Sequence, residues 1–539
     1  MRGVAVCFFL FLNLLLAAEE QNVRGVVLAG SEASLLDLSQ LEQIEGTSIC
    51  QVDIPGRVSE LNEFLQPSYA EQPLDEATIR QVKQKLYEYY QEYERPFITI
   101  FTPVQAPASK VVRLVVEESR LGKLTVVGNR WLPSKRIAQY FKIQPGDYIS
   151  QRRIDKDLNF VNRNPFRRAN IVYSPGENRN TTDITVEVED RKPYRFYVGA
   201  DNTGVLSTGR QRAFAGFSWD QIFNLDQVFF YQYTTNYDIK RFHANTFQYM
   251  ALLPSESILN LYGGYSILHA DLPSPNRRNT GTNIQASARY HLPFLPIHAC
   301  AHEMVFGFDL KNTNNTMEFV DFNPVFGQTV NLTQFIVGYQ FGWDKPLYSV
   351  HGGVEILSSP MEWLPDQSDA DFASLRPDAK NKWIYGVAFF NYRQMFPRSY
   401  AYTLFARGQL SSQVLLPSEQ LGLGGYDTIR GYDQRQYNAD NGFFVSNEIH
   451  SPTFSWIRSR RPHPDHMYFL LFLDGGYGMD KTAVPDVKIR NVLIGAGPGF
   501  RYSFGPYFTA RFDWGVKLRR QSDFTGGASM VHFSVTGSY

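Results

Sequence analysis

Tyr468-Phe469-Leu470-Leu471-Phe472-Leu473-Asp474-Gly475-Gly476 is apolar almost throughout and ends on a carboxylate and two glycines. In an extended strand these residues sort by parity. Phe472, Asp474 and Gly476 share one face, and Phe469, Leu471 and Leu473 share the other. If Leu471 and Leu473 face lipid, Asp474 faces an aqueous interior. Upstream, Ile429-Arg430-Gly431-Tyr432 lies in a turn-rich loop and offers the matching cation. An arginine on such a loop and an aspartate on a membrane wall form an ion pair that holds the loop in place. Breaking it is costly when one charge is left buried.

The rest of the C-terminal part repeats this alternation. Ile284, Ala286, Ala288, Tyr290 and Leu292 alternate with Gln285, Ser287, Arg289 and His291, and Tyr402, Leu404 and Ala406 with Thr403, Phe405 and Arg407. Phe229, Tyr231 and Tyr233, and Leu259 and Leu261 around Asn260, follow the same period. Period two with aliphatic and aromatic residues on one face and polar ones on the other fits lipid outside and water inside. A soluble sandwich also alternates, but aromatic content of 15%, with 31 Tyr and 41 Phe, suits the interfacial girdles of a transmembrane barrel. No internal stretch approaches the ~18 to 20 apolar residues of a spanning helix, so only a closed barrel satisfies its backbone within a bilayer. Residues 193–539 are enough for roughly 16 antiparallel strands of ~9 to 11 residues with their turns. The chain ends on Val531-His532-Phe533-Ser534-Val535-Thr536-Gly537-Ser538-Tyr539, a closing strand with an aromatic terminus.

Residues 1–18 read as a secretory signal: Arg2, an apolar core from Val4 to Leu16 interrupted by Asn13, and Leu16-Ala17-Ala18 as the cleavage site, the alternative being a retained anchor. Cys7 lies in that core without a lipidation box. Cys50 and Cys300 fall in different predicted domains with no pairing pattern, so neither a disulfide nor redox chemistry is expected. The 53 basic and 53 acidic residues cancel, which removes any electrostatic case for nucleic acid.

Between the signal and the barrel, two small α+β units share the order β-α-α-β-β. In the second, residues 121–190, strand Leu124–Val127 ends at Gly128. Ser134 caps a helix carrying Ile137, Tyr140 and Phe141, and Ser150 caps another carrying Ile154, Leu158 and Val161. Strands Ala169–Tyr173 and Ile184–Val188 flank the turn Ser174-Pro175-Gly176. The first unit, residues 23–120, carries strand Val23–Leu28, a helix over Ala33–Ile44, a strong helix over Asp75–Tyr93, and strands Phe97–Phe101 and Val111–Val116. Residues 47–73 form an insertion without an assigned structure. The two units read as tandem copies.

These features resemble the haemolysin-activator transporters of bacterial two-partner secretion, within the superfamily of outer-membrane assembly and translocation barrels. The resemblance covers nearly the whole mature chain. Asn162-Arg163-Asn164-Pro165-Phe166-Arg167 and Ser174-Pro175-Gly176 resemble the polypeptide-transport-associated (POTRA) repeat. Gly199-Ala200-Asp201-Asn202-Thr203-Gly204, Thr208-Gly209 and Trp219 resemble the first barrel hairpin. Leu423 to Tyr432, with Gly442-Phe443-Phe444 and Asn447-Glu448, resembles the lid loop, expected over about residues 425–444. The resemblance implies two periplasmic POTRA domains and a 16-stranded barrel in the bacterial outer membrane. It also implies a lid motif of Ile429, Arg430, Gly431 and Tyr432 facing a wall motif of Phe472, Asp474 and Gly476. The expected partners are a secreted client with an N-terminal transport domain, bound by the second POTRA domain through residues the sequence does not single out, outer-membrane lipid, and barrel-assembly machinery during biogenesis. The protein is expected to be a monomer without cofactor. One departure is that no room separates the signal from the first strand for the N-terminal plug helix of many relatives.

Other readings carry less. A barrel-assembly factor usually has more POTRA copies, and a passive porin needs neither such repeats nor a pinned inward loop. His298, Cys300 and His302 would share one face of an extended segment, a geometry suited to zinc or copper, but no acidic fourth ligand accompanies them and Pro293 and Pro296 favour a turn, so a metal site is rejected. Gly495-Ala496-Gly497-Pro498-Gly499 and the run Gly422–Gly425 lack the following helix of a nucleotide loop. Arg458, Arg460 and Arg461 read as a solvated turn, the alternative being contact with lipid headgroups. No Ser-His-Asp constellation is present, and no enzymatic activity is expected.

Overall fold

The computed structural model describes residues 22–205, 208–239, 241–271, 278–315, 326–457, 465–481, 489–519 and 527–539. The expected signal segment and the Arg458, Arg460 and Arg461 cluster lie outside these residues. The chain divides into two units, an N-terminal one ending at Glu189 and a C-terminal one that takes in Asn164–Arg167 and everything from Asp190 onward.

The N-terminal unit holds two sheets. The first has the order β2-β1-β4-β3, from β1 (Gly25–Ala29), β2 (Gly46–Cys50), β3 (Ile98–Phe101) and β4 (Val111–Glu118). The helix Glu76–Glu92 packs Val82, Leu86, Tyr89 and Tyr90 against Val26, Leu28, Val112 and Leu114 of this sheet. Asp75 caps it by accepting from the Thr78 backbone N–H at 2.8 Å.

The helix expected over Ala33–Ile44 is absent. That stretch forms a 3-10 turn at Glu32–Ser34 and a single turn at Leu38–Leu41. The Ser34 hydroxyl donates to the Ser31 carbonyl at 2.8 Å, a local bond that competes with helix propagation. The second helix of the unit is Val58–Leu65, inside the stretch the sequence left unassigned, with Leu61 and Leu65 buried against the Glu76–Glu92 helix core. The same stretch supplies most of β2, which lies parallel to β1 and covers its outer edge.

The second sheet has the order β5-β7-β6, from β5 (Arg120–Val127), β6 (Arg167–Pro175) and β7 (Thr181–Asp190), with β5 parallel to β7. Ser150 caps the helix Gln151–Val161 as expected, accepting from Arg153 N–H. Ser134 does not cap. Pro133 holds the cap position of the helix Ser134–Ala138, and the Ser134 hydroxyl donates instead to Asn129 Oδ1 at 3.1 Å. The reversal also moves: β6 continues through Pro175, and Gly176 N–H closes the turn on the Thr181 carbonyl at 2.8 Å.

The C-terminal unit is a closed 16-stranded antiparallel barrel, as expected from the alternation and from the length of residues 193–539. Its strands are β8 (Tyr194–Asp201), β9 (Arg212–Asp220), β10 (Gln227–Thr235), β11 (Phe242–Leu252), β12 (Ile258–Asp271), β13 (Arg278–Pro293), β14 (Ala301–Asn315) and β15 (Phe326–Asp344), followed by β16 (Tyr348–Ser359), β17 (Trp383–Met395) and β18 (Ala401–Ser411). After a long connection come β21 (Asn441–His450), β22 (Asp465–Met479), β23 (Arg490–Phe504), β24 (Phe508–Lys517) and β25 (Ser529–Ser538). Closure pairs β25 with β8, and Phe196 and Tyr539 exchange backbone hydrogen bonds of 3.0 and 2.9 Å. Leu471 is 64% exposed and Leu473 51%, whereas Asp474 between β22's inward neighbours is fully buried. The parity read from the sequence therefore holds, with the greasy side outward.

His298 stands at a left-handed φ of 49° in the turn before β14, so His298, Cys300 and His302 do not line one face of a strand. The His302 Nε2 lies 3.0 Å from the Leu295 carbonyl oxygen. Gly495–Gly499 lies inside β23, and Gly422 inside β19 (Leu421–Leu423), a short strand of the inward connection.

Candidate functional site

The connection between β18 and β21 turns into the barrel. It contains β19, paired antiparallel to β20 (Tyr437–Ala439), so the lid is a small hairpin with a structured root. It spans residues 412–440. The interval expected from the sequence, about 425–444, began too late and ran into β21, because Gly442-Phe443-Phe444 is already paired with β22.

At the hairpin tip Arg430 reaches the wall. Its Nε donates to Asp474 Oδ2 at 2.7 Å, its Nη2 to Asp474 Oδ1 at 2.8 Å, and its backbone N–H to Asp474 Oδ2 at 3.0 Å. The guanidinium and the carboxylate meet in a two-point fork, the strong form of this pair. Two further carboxylates, Glu448 on β21 at 2.5 Å and Asp513 on β24 at 3.7 Å, complete the electrostatic shell. Ser446 Oγ accepts from Nη2 at 3.1 Å, and the guanidinium carbon sits 3.7 Å from the centroid of the Phe472 ring. Arg430 is 2% exposed, so its charge is stable there only because these partners replace water.

The neighbours of Arg430 are seated by shape. Ile429 and Tyr432 are fully buried and pack with Leu421, Leu423, Phe444 and Leu493. The Tyr432 hydroxyl lies 3.1 and 2.5 Å from the Ile494 and Arg519 carbonyl oxygens, and its single proton goes to the nearer one. Gly431 adopts φ +97°, a left-handed conformation that suits glycine, and its N–H donates to His532 Nε2 at 3.0 Å. The facing wall position is Gly515 on β24, where any side chain would collide with the Gly431 nitrogen. Gly476 faces Ile429 in the same way, and a Cβ at Gly495 would run into the Arg430 carbonyl oxygen.

All seven motif residues named from the sequence thus meet at one place: Ile429, Arg430, Gly431 and Tyr432 on the lid, and Phe472, Asp474 and Gly476 on the wall. Sequence reasoning missed Ser446, Asp513 and His532, and gave Glu448 no role. The parity rule finds the first two. Ser446 pairs in register with Asp474, and Asp513 stands opposite Gly499 on the inward side of β24, so each is a polar residue on a lumen face beside the motif.

Above the lid, the β16–β17 connection carries the helix Asp369–Leu375, whose Phe372 and Leu375 pack with Val330, Leu332, Val414, Leu415 and Leu416. Arg376 forks onto Asp440 at 2.7 and 2.9 Å and also contacts Asp480. The lid root is thus held from the loop side as well.

Comparison with known proteins agrees with this architecture. The family model for the haemolysin secretion/activation proteins ShlB/FhaC/HecB matches residues 180–502. A POTRA model, described as a surface antigen variable number repeat, matches residues 119–191. The outer membrane transporter CdiB of Dickeya dadantii (strain 3937) is 24% identical over 425 residues, covering 74% of this chain and 70% of its own. The heme/hemopexin transporter protein HuxB of Haemophilus influenzae (strain 86-028NP) is 20% identical over 477 residues, covering 81% and 76%. The solved structure of CdiB from Escherichia coli shares the fold with a TM-score of 0.75 at 16% identity, over 96% of this chain and 90% of that one. The chain belongs to the haemolysin secretion/activation protein family, the outer-membrane transporters of two-partner secretion, with its POTRA domain in the periplasm.

Proposed function

We propose that this protein captures an unfolded client in the periplasm through its second POTRA domain and exports it through the barrel to the cell surface, with the Arg430 lid as gate. The observation that carries this reading is the buried fork between Arg430 and Asp474. A hairpin seated in the lumen by a buried charge pair can be released by competition for that pair, as a gate must be. Capture relies on backbone hydrogen bonding to an exposed strand edge, which tolerates many client sequences. On β6 the Asn162 side chain occupies both backbone groups of Ala169, at 2.7 and 3.0 Å, so pairing by a client starts beyond that residue. The chain then passes the displaced lid, and folding outside supplies direction. Client identity is read by experiment: co-expression with a candidate secreted protein bearing an N-terminal transport domain gives surface release that depends on this chain. Release that is equal in its absence overturns the reading.

A further inference from the structure

The lid has a second foot. Glu419, in the root of the hairpin, is 5% exposed, and its carboxylate is enclosed by groups from three wall strands. Lys311 of β14 contacts its Oε1 at 2.6 Å. Gln334 of β15 and the Tyr385 hydroxyl of β17 donate to its Oε2 at 3.0 and 2.8 Å. Gln334 also donates to Asp309, which forks with Arg289, so the wall around this foot is a connected polar lattice. The lid backbone is fixed at the same point, where the Gln409 side chain donates to the Glu419 carbonyl at 2.9 Å.

The two feet stand on different arcs of the wall, Glu419 against β14, β15 and β17, and the tip against β21, β22 and β24. In the hydrogen-bonded order that begins at β10, β14 is fifth and β24 thirteenth, eight strands apart in a ring of 16. Glu419 is held at β14, and Gly431 rests on Gly515 of β24. The lid is therefore held at two separate places on the wall. On the β10–β14 side lies a cavity of about 910 Å3, lined by Gln232, Thr246, Gln248 and Gln285 together with Phe230 and Tyr262. Lys311 and Ser418 of the Glu419 foot border it; Arg430 does not. A second cavity of about 490 Å3, across the lid, is lined by Arg393, Asp427, Arg430, Glu448 and Arg511.

From this geometry we infer that Glu419 is a second positioning residue of the lid, paired with Lys311, and that freeing this foot opens the adjoining cavity to an extended polypeptide. The inference rests on the export reading for the identity of what passes, but the second foot itself does not. Amide and hydroxyl side chains can exchange hydrogen bonds with any backbone, and Lys311, once released from Glu419, adds a cation at the edge of the cavity. The charged cavity would retain clients by their own charges.

The test uses the full chain in planar lipid bilayers without client, with heat-modifiable gel migration confirming a folded barrel. Glu419→Gln is nearly isosteric and keeps an acceptor for Gln334 and Tyr385, while its amide turns a donor toward Lys311 in place of the carboxylate and removes the ion pair. Lys311→Met removes the same pair from the wall side. Each is expected to raise open-state occupancy at least tenfold with Arg430 intact, and the double variant to match the single ones. Wild-type occupancy in both single variants overturns the second foot, as does a double variant whose effect is the product of the two. Because no client takes part, that failure would leave the export reading standing.

Discussion

Arg430 holds Asp474 through three separate donors, two from the guanidinium and one from its own backbone N–H. A single carboxylate thus fixes both the side chain and the local backbone of the lid tip. Asp474→Ala leaves a buried guanidinium with Glu448 and Asp513 as its remaining carboxylates. The loss is about 3–5 kcal/mol of lid anchorage, the scale for breaking a buried pair. Single-channel recording is expected to show frequent large openings in Asp474→Ala and fewer in Asp474→Asn, which retains a carbonyl acceptor.

The seat of the lid is also steric. At Gly515 a side chain meets the Gly431 nitrogen, and the wall strand, paired on both sides, has little freedom to yield. Gly515→Val is therefore expected to lift the lid at a cost of about 1–3 kcal/mol, as overpacking does, while β24 keeps its ladder. Heat-modifiable migration should stay that of a folded barrel while conductance rises. A closed channel in this variant would show that the tip does not rest on β24.

Much of this was legible in the sequence. Period-two alternation pointed to the barrel, because lipid on one side and water on the other leave little choice of register, and the length of residues 193–539 put the strand number near 16. Phe472-Leu473-Asp474 showed which face carried the site. The lid's extent was not legible, because Leu421-Gly422-Leu423 reads as one more glycine-rich turn until Tyr437–Ala439 is known to pair with it. The Val58–Leu65 helix was hidden for another reason. Only Leu61 and Leu65 of that helix are buried, and two buried positions are too few to establish a period. Glu419 gave no signal at all, since its partners Lys311, Gln334 and Tyr385 are far away in sequence and meet only when the barrel closes.

The outer connection contributes its own clamp. Arg376 joins Asp440 at the base of β21 to Asp480 beyond β22. Asp440 keeps backbone donors from Leu415 and Lys481, at 3.0 and 2.9 Å, so Arg376→Ala strips only part of its shell. The expected loss is about 1–3 kcal/mol, that of a buried group losing a partner. Trypsin added to intact cells should then cut at Lys380 or Lys382 faster than in the parent protein, with the barrel undigested.

The most direct test of the gate is client release from cells carrying Arg430→Ala, measured beside barrel folding in the same membranes. A properly folded barrel that no longer releases its co-expressed client to the surface is the predicted result. Release at the parent level from an equally well-folded Arg430→Ala barrel would contradict the assignment of the lid tip as the gate's anchor.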